Sequence, residues 1–284
     1  MSEDVRIALS VEGGLCNRLN TVLSATALAA DDNRGGYYVD IYWQRHEECW
    51  AHYDDLFEPY TAQGVAIHRV DRSLGLWTML SVTHSRPRNL RLPDLIRRIA
   101  FDASYHGRDI RYSDINTLTA GKRRIFINTS SDFCRYTITR SLARYFTPIE
   151  QIRRRIDEVT AAYAPNTIGV HIRRTDHSLV IERSPLEAFI RRMDRELQRD
   201  DECMFYVATD DGNVKRMLKK RYGQRIISPD LTLSRTTTEG MRDAVAELFC
   251  LGHTKRIIGS PLSTFTTDAA ALYDIPLTEP TENI

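Results

Sequence analysis

The sequence predicts an α/β protein whose strands pair in parallel. In both halves of the chain, short apolar runs with strand-like alternation are followed by longer segments with the apolar spacing of an amphipathic helix. Strands separated by helices lie parallel, because each helix returns the chain to the same end of the sheet. The chain has 284 residues, 42% of them hydrophobic, which is enough for one large or two modest α/β domains.

The elements of the first half follow in order. Residues 5–11 alternate as a strand and run into the turn 12–19, after which apolar residues recur at helical spacing up to about residue 30. Residues 37–43 form the next predicted strand, and 47–59 form a loop. The stretch from about 60 to 145 has no steady period, and its role stays open.

The second half has a clearer pattern. A helix is predicted over 149–162, ended by Pro165, and a strand follows directly. A capping box at 184–187 predicts a helix over about 185–198. The remaining predictions are strands at 205–208 and 256–259 and helices at 239–251 and 263–272. We place the domain junction at 147/148, giving domains of residues 1–147 and 148–284, and the last helix is the one element that we allow to return to the first domain.

Charge, cysteine usage and hydropathy set the expected class of protein. There are 39 basic and 38 acidic residues, a formal net charge of +1, so nucleic acid is not an expected partner and phosphate recognition must be local. The five cysteines form no C-x-x-C pair, which favours reduced, buried thiols. The amino terminus does not resemble a signal peptide, and no run of about eighteen apolar residues predicts a transmembrane segment. We therefore expect a cytoplasmic protein, and the sequence does not determine its oligomeric state.

The most informative segment is residues 171–176, which read HIRRTD at the end of a short apolar strand. Alternation places Ile168, Val170 and Ile172 toward one layer of the core and His171 and Arg173 toward the other. An arginine is costly to bury alone, so Arg173 is expected at the carboxyl end of the strand, where open α/β sheets bind ligands. A phosphorylated ligand suits this position.

Polar residues follow three successive strands in the same way. They are Arg173, Arg174 and Asp176, then Asp210 and Asp211, then Ser260, Ser263 and Thr264. One crevice at the edge of a parallel sheet would collect all of them, and hydroxyls at a helix amino terminus suit a phosphate. Simpler interpretations stay open: helix caps for the serine, threonine and aspartates, a satisfied buried side chain for His171, and a structural ion pair for Arg173.

Three segments resemble the motifs of the GDP-fucose-dependent fucosyltransferase superfamily. The resemblance is nearest to its α-1,6 and nodulation type, and the protein O-fucosyltransferases are more distant relatives. The segments are 171–176, 206–211 (YVATDD) and 258–265 (IGSPLSTF). The turn 13–19 (GGLCNRL) is similar to the glycine and asparagine turn that many members carry after their first strand, with Gly14 and Asn17 at its matching positions.

The resemblance implies the GT-B arrangement, in which two Rossmann-like domains face across a cleft. The carboxyl-terminal domain would bind GDP and the amino-terminal domain the carbohydrate acceptor. By position, Arg173 matches the arginine that binds the β-phosphate, and Arg174 matches the residue that assists it. His171 matches a nucleotide contact, and Glu247 matches the acidic residue that binds guanine. The family needs no metal, and this sequence has no Asp-x-Asp triplet to hold one. An arginine fork can stabilise the charge on departing GDP instead.

The catalytic base is the least determined residue. Glu182 lies near the position of the base in the α-1,6 enzymes, shifted by one residue, whereas Glu12 corresponds to the glutamate that protein O-fucosyltransferases carry in the first turn. Asp176 and His177 are weaker candidates, and Asp176 fits better as a partner that orients an arginine.

The expected activity is therefore inverting, metal-independent transfer of fucose from GDP-fucose to a hydroxyl of a glycan or glycolipid, in bacterial glycan assembly. The acceptor and the linkage are not determined. Another GDP-sugar such as GDP-mannose, or a non-catalytic GDP-sugar or glycan-binding protein, are the alternatives. A nicotinamide oxidoreductase or a P-loop enzyme is disfavoured, because neither glycine fingerprint is present.

Overall fold

The computed structural model describes residues 4–31, 36–70, 99–136, 138–174, 182–232 and 234–280. The chain forms two compact units. The first comprises Met1–Ile138, Tyr145–Thr147 and Arg235–Met241, and the second comprises Thr139–Arg144, Pro148–Ser234 and Arg242–Ile284. The long segment of the second unit thus begins at Pro148 and includes the last helix.

The first unit is built on a five-stranded parallel sheet in the order β3-β2-β1-β5-β4. Its strands are β1 (Val5–Val11), β2 (Tyr37–Gln44), β3 (Val65–Val70), β4 (Ala103–His106) and β5 (Arg124–Thr129). Its helices are α1 (Leu15–Ala29), α2 (Gly107–Ile110) and α3 (Ile115–Thr119), with a short 3-10 turn at Tyr53–Asp55. β1 and β2 confirm the predicted strands, and α1 begins four residues earlier than the apolar spacing indicated.

β5 lies beside β1 in the middle of this sheet, and the sequence did not predict it. Its apolar residues Ile125, Phe126 and Ile127 are consecutive and all buried. A strand covered on both faces has no alternation to recognise.

The second unit contains another five-stranded parallel sheet, in the order β10-β9-β6-β7-β8. Its strands are β6 (Ile168–Ile172), β7 (Phe205–Thr209), β8 (Ile226–Ile227), β9 (Ile257–Gly259) and β10 (Leu277–Thr278). The helices are α4 (Glu150–Thr160), α5 (Leu186–Arg199), α6 (Gly212–Tyr222), α7 (Thr238–Gly252), which belongs to this unit from Arg242 on, and α8 (Thr264–Leu272). Single 3-10 turns occupy Leu142–Arg144 and Gly223–Arg225.

The core of the second unit forms around β6. Ile168, Val170 and Ile172 pack in one apolar cluster with Phe189 of α5 and Phe205 of β7, which confirms the predicted facing of the strand. Burying each side chain contributes roughly 1.5–3 kcal/mol. Because all five residues of β6 are buried, the polar residues that follow it are brought to the edge of a well-packed sheet.

One local prediction differs from the structure, and two short strands were not predicted. α5 begins at Leu186 with Pro185 as its N-cap and no side-chain capping hydrogen bond, so the predicted capping box is wrong. The two-residue strands β8 and β10 are too short to leave a periodic signal.

All five cysteines are free and buried, as predicted. Among the helices of the described ranges, none has the length and apolar character to cross a bilayer.

Candidate active site

The strand order of the second sheet reverses between β6 and β9, and the polar residues predicted to act together follow these two strands. The Arg173 amide after β6 donates to Ser260 Oγ after β9 at 3.0 Å. The Ser260 amide in turn donates to the carbonyl of His171 at 3.0 Å. In open parallel sheets such a reversal opens a crevice at the carboxyl ends of the strands, where ligands bind.

The turn after β7 is joined to the same place. The Arg174 amide donates to Asp210 Oδ1 at 2.7 Å, which ties the ends of β6 and β7 together. Asp211 has a different local role, because its Oδ1 accepts from the Asn213 amide at 2.7 Å and caps α6. The capping interpretation therefore describes Asp211, whereas Asp210 fixes the arginine turn.

His171 packs under the first turn of α8. Its Nδ1 lies 2.6 Å from Thr266 Oγ1, and its ring centroid lies 5.1 Å from that of Phe265. Burial lowers the pKa of His171 to about 4, with Asp210 raising it and Arg173 lowering it further. The imidazole is thus neutral at pH 7, and one of its two ring nitrogens lies within hydrogen-bond distance of Thr266. His171 therefore packs against α8 and orients this helix.

Gly259 allows α8 to approach the sheet closely. A Cβ atom at this position would lie 2.1 Å from Thr266 Cγ2, which no side chain tolerates. Because α8 is held this close to β9, its amino terminus lies beside the residues that follow β9. The exposed N–H groups of that first turn carry a partial positive charge.

Two donors at this edge lack a partner within the described part of the chain. Ser263 is the N-cap of α8, yet its side chain makes no capping bond, and its buried hydroxyl has no hydrogen-bond partner. Arg174 Nη2 is likewise buried and unpaired. Each such group costs about 1–3 kcal/mol, and unpaired groups of this kind are explained most simply by a ligand that accepts from them.

The cationic groups beside these donors are Arg173 and Arg174, both partly buried. Burial lowers the pKa of Arg174, while the carboxylates of Glu187, Asp210 and Asp211 raise it. Thr264 is exposed at the first position of α8. Asp176 and His177 lie outside the described residues.

Glu247 lies on α7, partly buried. Burial raises its pKa to about 8, with Lys215 opposing the shift and Asp210 adding to it. Lys215 was not predicted as a site residue. Its ammonium group donates to the carbonyl of Pro229 and contacts Asp230 Oδ1 at 3.2 Å, which fixes the segment after β8. The sequence offered only the position of Lys215, four residues into α6, as a sign of this role. Many surface lysines occupy such a position.

The first sheet has its own reversal of strand order, between β1 and β5, where Glu12 lies. The Glu12 amide donates to Thr129 O at 2.9 Å, and Glu12 Oε1 accepts from Asn128 Nδ2 at 2.8 Å. Gly13 has φ +78°, and a Cβ there would lie 3.0 Å from Asn17 Nδ2, so this position requires glycine. Gly14 has φ −72° and needs no glycine on conformational grounds.

Arg18, which the sequence did not single out, holds this turn in place. The side chain is fully buried, with Nε donating to Gly13 O at 2.8 Å and Nη1 to Gln44 O at 2.6 Å. Its guanidinium carbon lies 5.2 Å from the Trp43 ring centroid. Burial lowers the pKa of Arg18, and Cys49, Glu12 and Glu48 act in the opposite direction. The sign of this role in the sequence is an arginine within the apolar run of a predicted helix.

The second candidate base, Glu182, is exposed and lies in helical conformation shortly before α5. It belongs to the second unit, whereas Glu12 belongs to the first.

Solved structures of fucosyltransferases share the fold of this chain. Fucosyltransferase NodZ from Bradyrhizobium matches with a TM-score of 0.62 at 18% identity, over 98% of this chain and 96% of its own. NodZ co-crystallised with GDP gives a TM-score of 0.63. A mutant of Arabidopsis thaliana FUT1 in complex with GDP gives 0.64 at 15% identity, over 99% of this chain and 72% of that one. The apo form of POFUT1 gives 0.60 at 12% identity, over 99% of both chains.

No protein-family model and no curated protein sequence matches the chain. The similarity therefore lies in the fold, and at that level it confirms the resemblance predicted from the motifs. The chain is an α/β protein with the two parallel sheets of a fucosyltransferase fold.

Proposed function

We propose that the chain is a glycosyltransferase that moves fucose from GDP-fucose to a hydroxyl of a carbohydrate acceptor. The observation that carries the proposal is the pair of unpaired donors, Ser263 Oγ and Arg174 Nη2, beside Arg173 at the reversal point of the second sheet. A diphosphate has the charge and the acceptor oxygens that such a group of donors lacks.

In this proposal the nucleotide lies along the carboxyl edge of the second sheet. Arg173 pairs with the β-phosphate, Arg174 assists it, and the hydroxyls of Ser260, Ser263 and Thr264 with the amino terminus of α8 accommodate the diphosphate. His171 and Asp210 hold these groups in position through the contacts described above, and Asp211 caps the neighbouring helix α6. Glu247 accepts from guanine.

The reaction is a single displacement with inversion at the anomeric carbon. The bond from that carbon to the β-phosphate oxygen breaks, the acceptor oxygen forms the new bond on the opposite face, and the acceptor proton passes to a carboxylate. The departing GDP takes the electron pair, and the guanidinium of Arg173 stabilises the charge that develops on it. No metal is required, since fixed guanidinium groups supply the positive charge.

The base is Glu182 or Glu12. The first unit binds the acceptor, and Gly14 and Asn17 in its first turn contact the GDP-sugar. The buried, free thiols support a reducing, cytoplasmic location.

One assay tests the proposal: hydrolysis and transfer of radiolabelled GDP-fucose, with and without EDTA. We expect turnover that EDTA does not abolish and that Arg173→Ala lowers by about 100-fold or more. Arg191→Ala, which removes an exposed arginine of α5, is the matched control and should leave turnover unchanged. Binding of GDP-fucose without turnover, faster turnover of GDP-mannose, or turnover lost in EDTA would each contradict the assignment.

The same assay distinguishes the two bases. Glu182→Gln should retain GDP binding and lose most of the transfer. Unchanged turnover in this variant would remove Glu182 from the mechanism, and Glu12→Gln should then show the loss.

A further inference from the structure

The segment after β2 forms a small fixed loop in the first unit. The His46 amide donates to Cys49 O at 3.1 Å, and the Cys49 amide donates back to His46 O at 2.9 Å. The Cys49 side chain is buried beneath the loop. Arg18 binds the carbonyl of Gln44 at the start of this loop, so the loop and the turn after β1 share one buried anchor.

The far end of the loop is fixed as firmly. The Trp50 amide donates to Arg235 O at 2.9 Å, and the Trp50 carbonyl accepts from Thr238 Oγ1 at 3.1 Å. Both backbone groups of Trp50 are therefore engaged, and the position of its side chain is constrained by the backbone.

The Trp50 side chain is nevertheless 43% exposed. The other exposed aromatic side chains have a ring partner: Arg6 for Tyr38, Arg111 for Tyr112 and His253 for Tyr273. Among the residues that the structure describes, no aromatic ring or guanidinium packs on Trp50. Because the backbone of Trp50 is held at both its amide and its carbonyl, the exposed part of the indole is available to a ligand that packs on it.

Carboxylates accompany this indole. Glu48 is exposed two residues before Trp50, and its carbonyl oxygen lies 3.8 Å from where a Cβ of Gly14 would be. Glu12, at the end of β1, accepts a hydrogen bond from Asn128 through one oxygen. Both carboxylates act electrostatically on the buried Arg18, whose side chain is bonded to Gly13 O in the turn after β1.

Resting on the proposed function, we infer that Trp50 is the acceptor-stacking residue, against which a pyranose ring of the acceptor packs, and that Glu48 binds a hydroxyl of the same sugar. The C–H face of a pyranose is apolar and flat enough to cover an indole, while its equatorial hydroxyls donate to carboxylates. An oligosaccharide built of pyranoses offers both features in one ligand.

The test uses the full chain with labelled GDP-fucose and cellotetraose, chitotetraose and maltotetraose as acceptors. Trp50→Ala should raise the KM for the acceptor roughly tenfold or more, as expected when an aromatic stacking platform is removed. The KM for GDP-fucose and the rate of donor hydrolysis should not change. Trp50→Phe should recover most of the acceptor affinity, and Glu48→Gln should raise the acceptor KM without affecting the donor.

Tyr112→Ala, which removes another exposed aromatic of the first unit, is the matched control and should leave both KM values unchanged. An unchanged acceptor KM in Trp50→Ala, an equal loss in donor hydrolysis, or wild-type hydrolysis with no transfer to any of the three oligosaccharides would overturn the inference. Failure of the wild type to bind GDP or to hydrolyse GDP-fucose would instead show that the proposed function is wrong.

Discussion

The backbone amides of Arg173 and Arg174 are already used inside the protein. They donate to Ser260 Oγ and Asp210 Oδ1. The main chain of this turn therefore cannot cradle a phosphate in the way that a glycine-rich loop does. In the proposed function, recognition of the diphosphate therefore falls to the two guanidinium groups and to the amino terminus of α8, where Ser263 Oγ has no partner among the described residues. This explains why an Arg-Arg pair, and no glycine fingerprint, marks the site in the sequence.

Glu247 is expected to make GDP binding depend on pH. Burial raises the pKa of Glu247 to about 8, so the side chain is largely protonated at pH 7 in the unliganded protein. Guanine donates from N1–H and its amino group and requires the carboxylate form. Binding then releases a proton, and the affinity for GDP should rise by up to about tenfold per pH unit between about pH 6 and 8, then level off.

Isothermal titration across this range, on the wild type and on Glu247→Gln, measures the effect. GDP ionises identically in both experiments, so the difference between the two curves belongs to Glu247. The variant should bind more weakly at pH 8 and lack the rise, and parallel curves would contradict the role of Glu247.

The stability of the unliganded protein should fall as the pH rises, opposite to the affinity for GDP. The folded-state pKa of about 8 lies above the ordinary value of 4.5. The contribution of Glu247 is therefore fully present below pH 4.5 and is lost as the pH rises to about 8.

The turn between β1 and α1 depends on only one of its two glycines. Gly13 has φ +78° and is crowded by Asn17, whereas Gly14 has φ −72° and its added Cβ would meet only Glu48 O at 3.8 Å. Gly13→Ala should therefore lower the free energy of unfolding by about 1–2 kcal/mol. Gly14→Ala is the matched control and should change it by less than about 0.5 kcal/mol. Denaturant titration measures both, and the opposite ranking would contradict this description of the turn.

The strands and helices that line the second site were predictable because their patterns are local. Alternation in β6 and helical spacing in α7 and α8 depend only on neighbouring residues. β5 was not predicted, because it is covered on both faces and its three apolar residues show no period. Because β5 was not predicted, Asn128 was not recognised as the partner of Glu12.

The candidate residues differ in the same way. The arginines and hydroxyls were predictable because they follow strands directly. The fixed arrangement around them was not, because it depends on contacts between residues far apart in the chain. Arg18 reaches Gln44, and His171 reaches Thr266. Spacing in the sequence carries no information on such pairs.

Each unit as a whole reverses the strand order of its sheet beside its first strand, and each places charge at that point. In the second unit the reversal between β6 and β9 carries Arg173 and Arg174, and in the first unit the reversal between β1 and β5 carries Glu12. A cationic edge suits a diphosphate, and a carboxylate edge suits the hydroxyls of a sugar. The net charge of +1 is a sum over the whole chain and does not reveal such local charge.

In the proposed function, the second unit binds a guanine nucleotide through Arg173 without a metal. Thermal unfolding of the protein with GDP, GDP-fucose, GDP-mannose, UDP or NAD, each with and without EDTA, tests it most directly. A ligand at a hundred times its Kd adds roughly 2.7 kcal/mol, which raises Tm by several degrees. We expect Tm to increase with the guanine nucleotides alone. EDTA should not alter this increase, Arg173→Ala should abolish it and Arg191→Ala should retain it. No increase with GDP or GDP-fucose, or one that requires a metal, would contradict it.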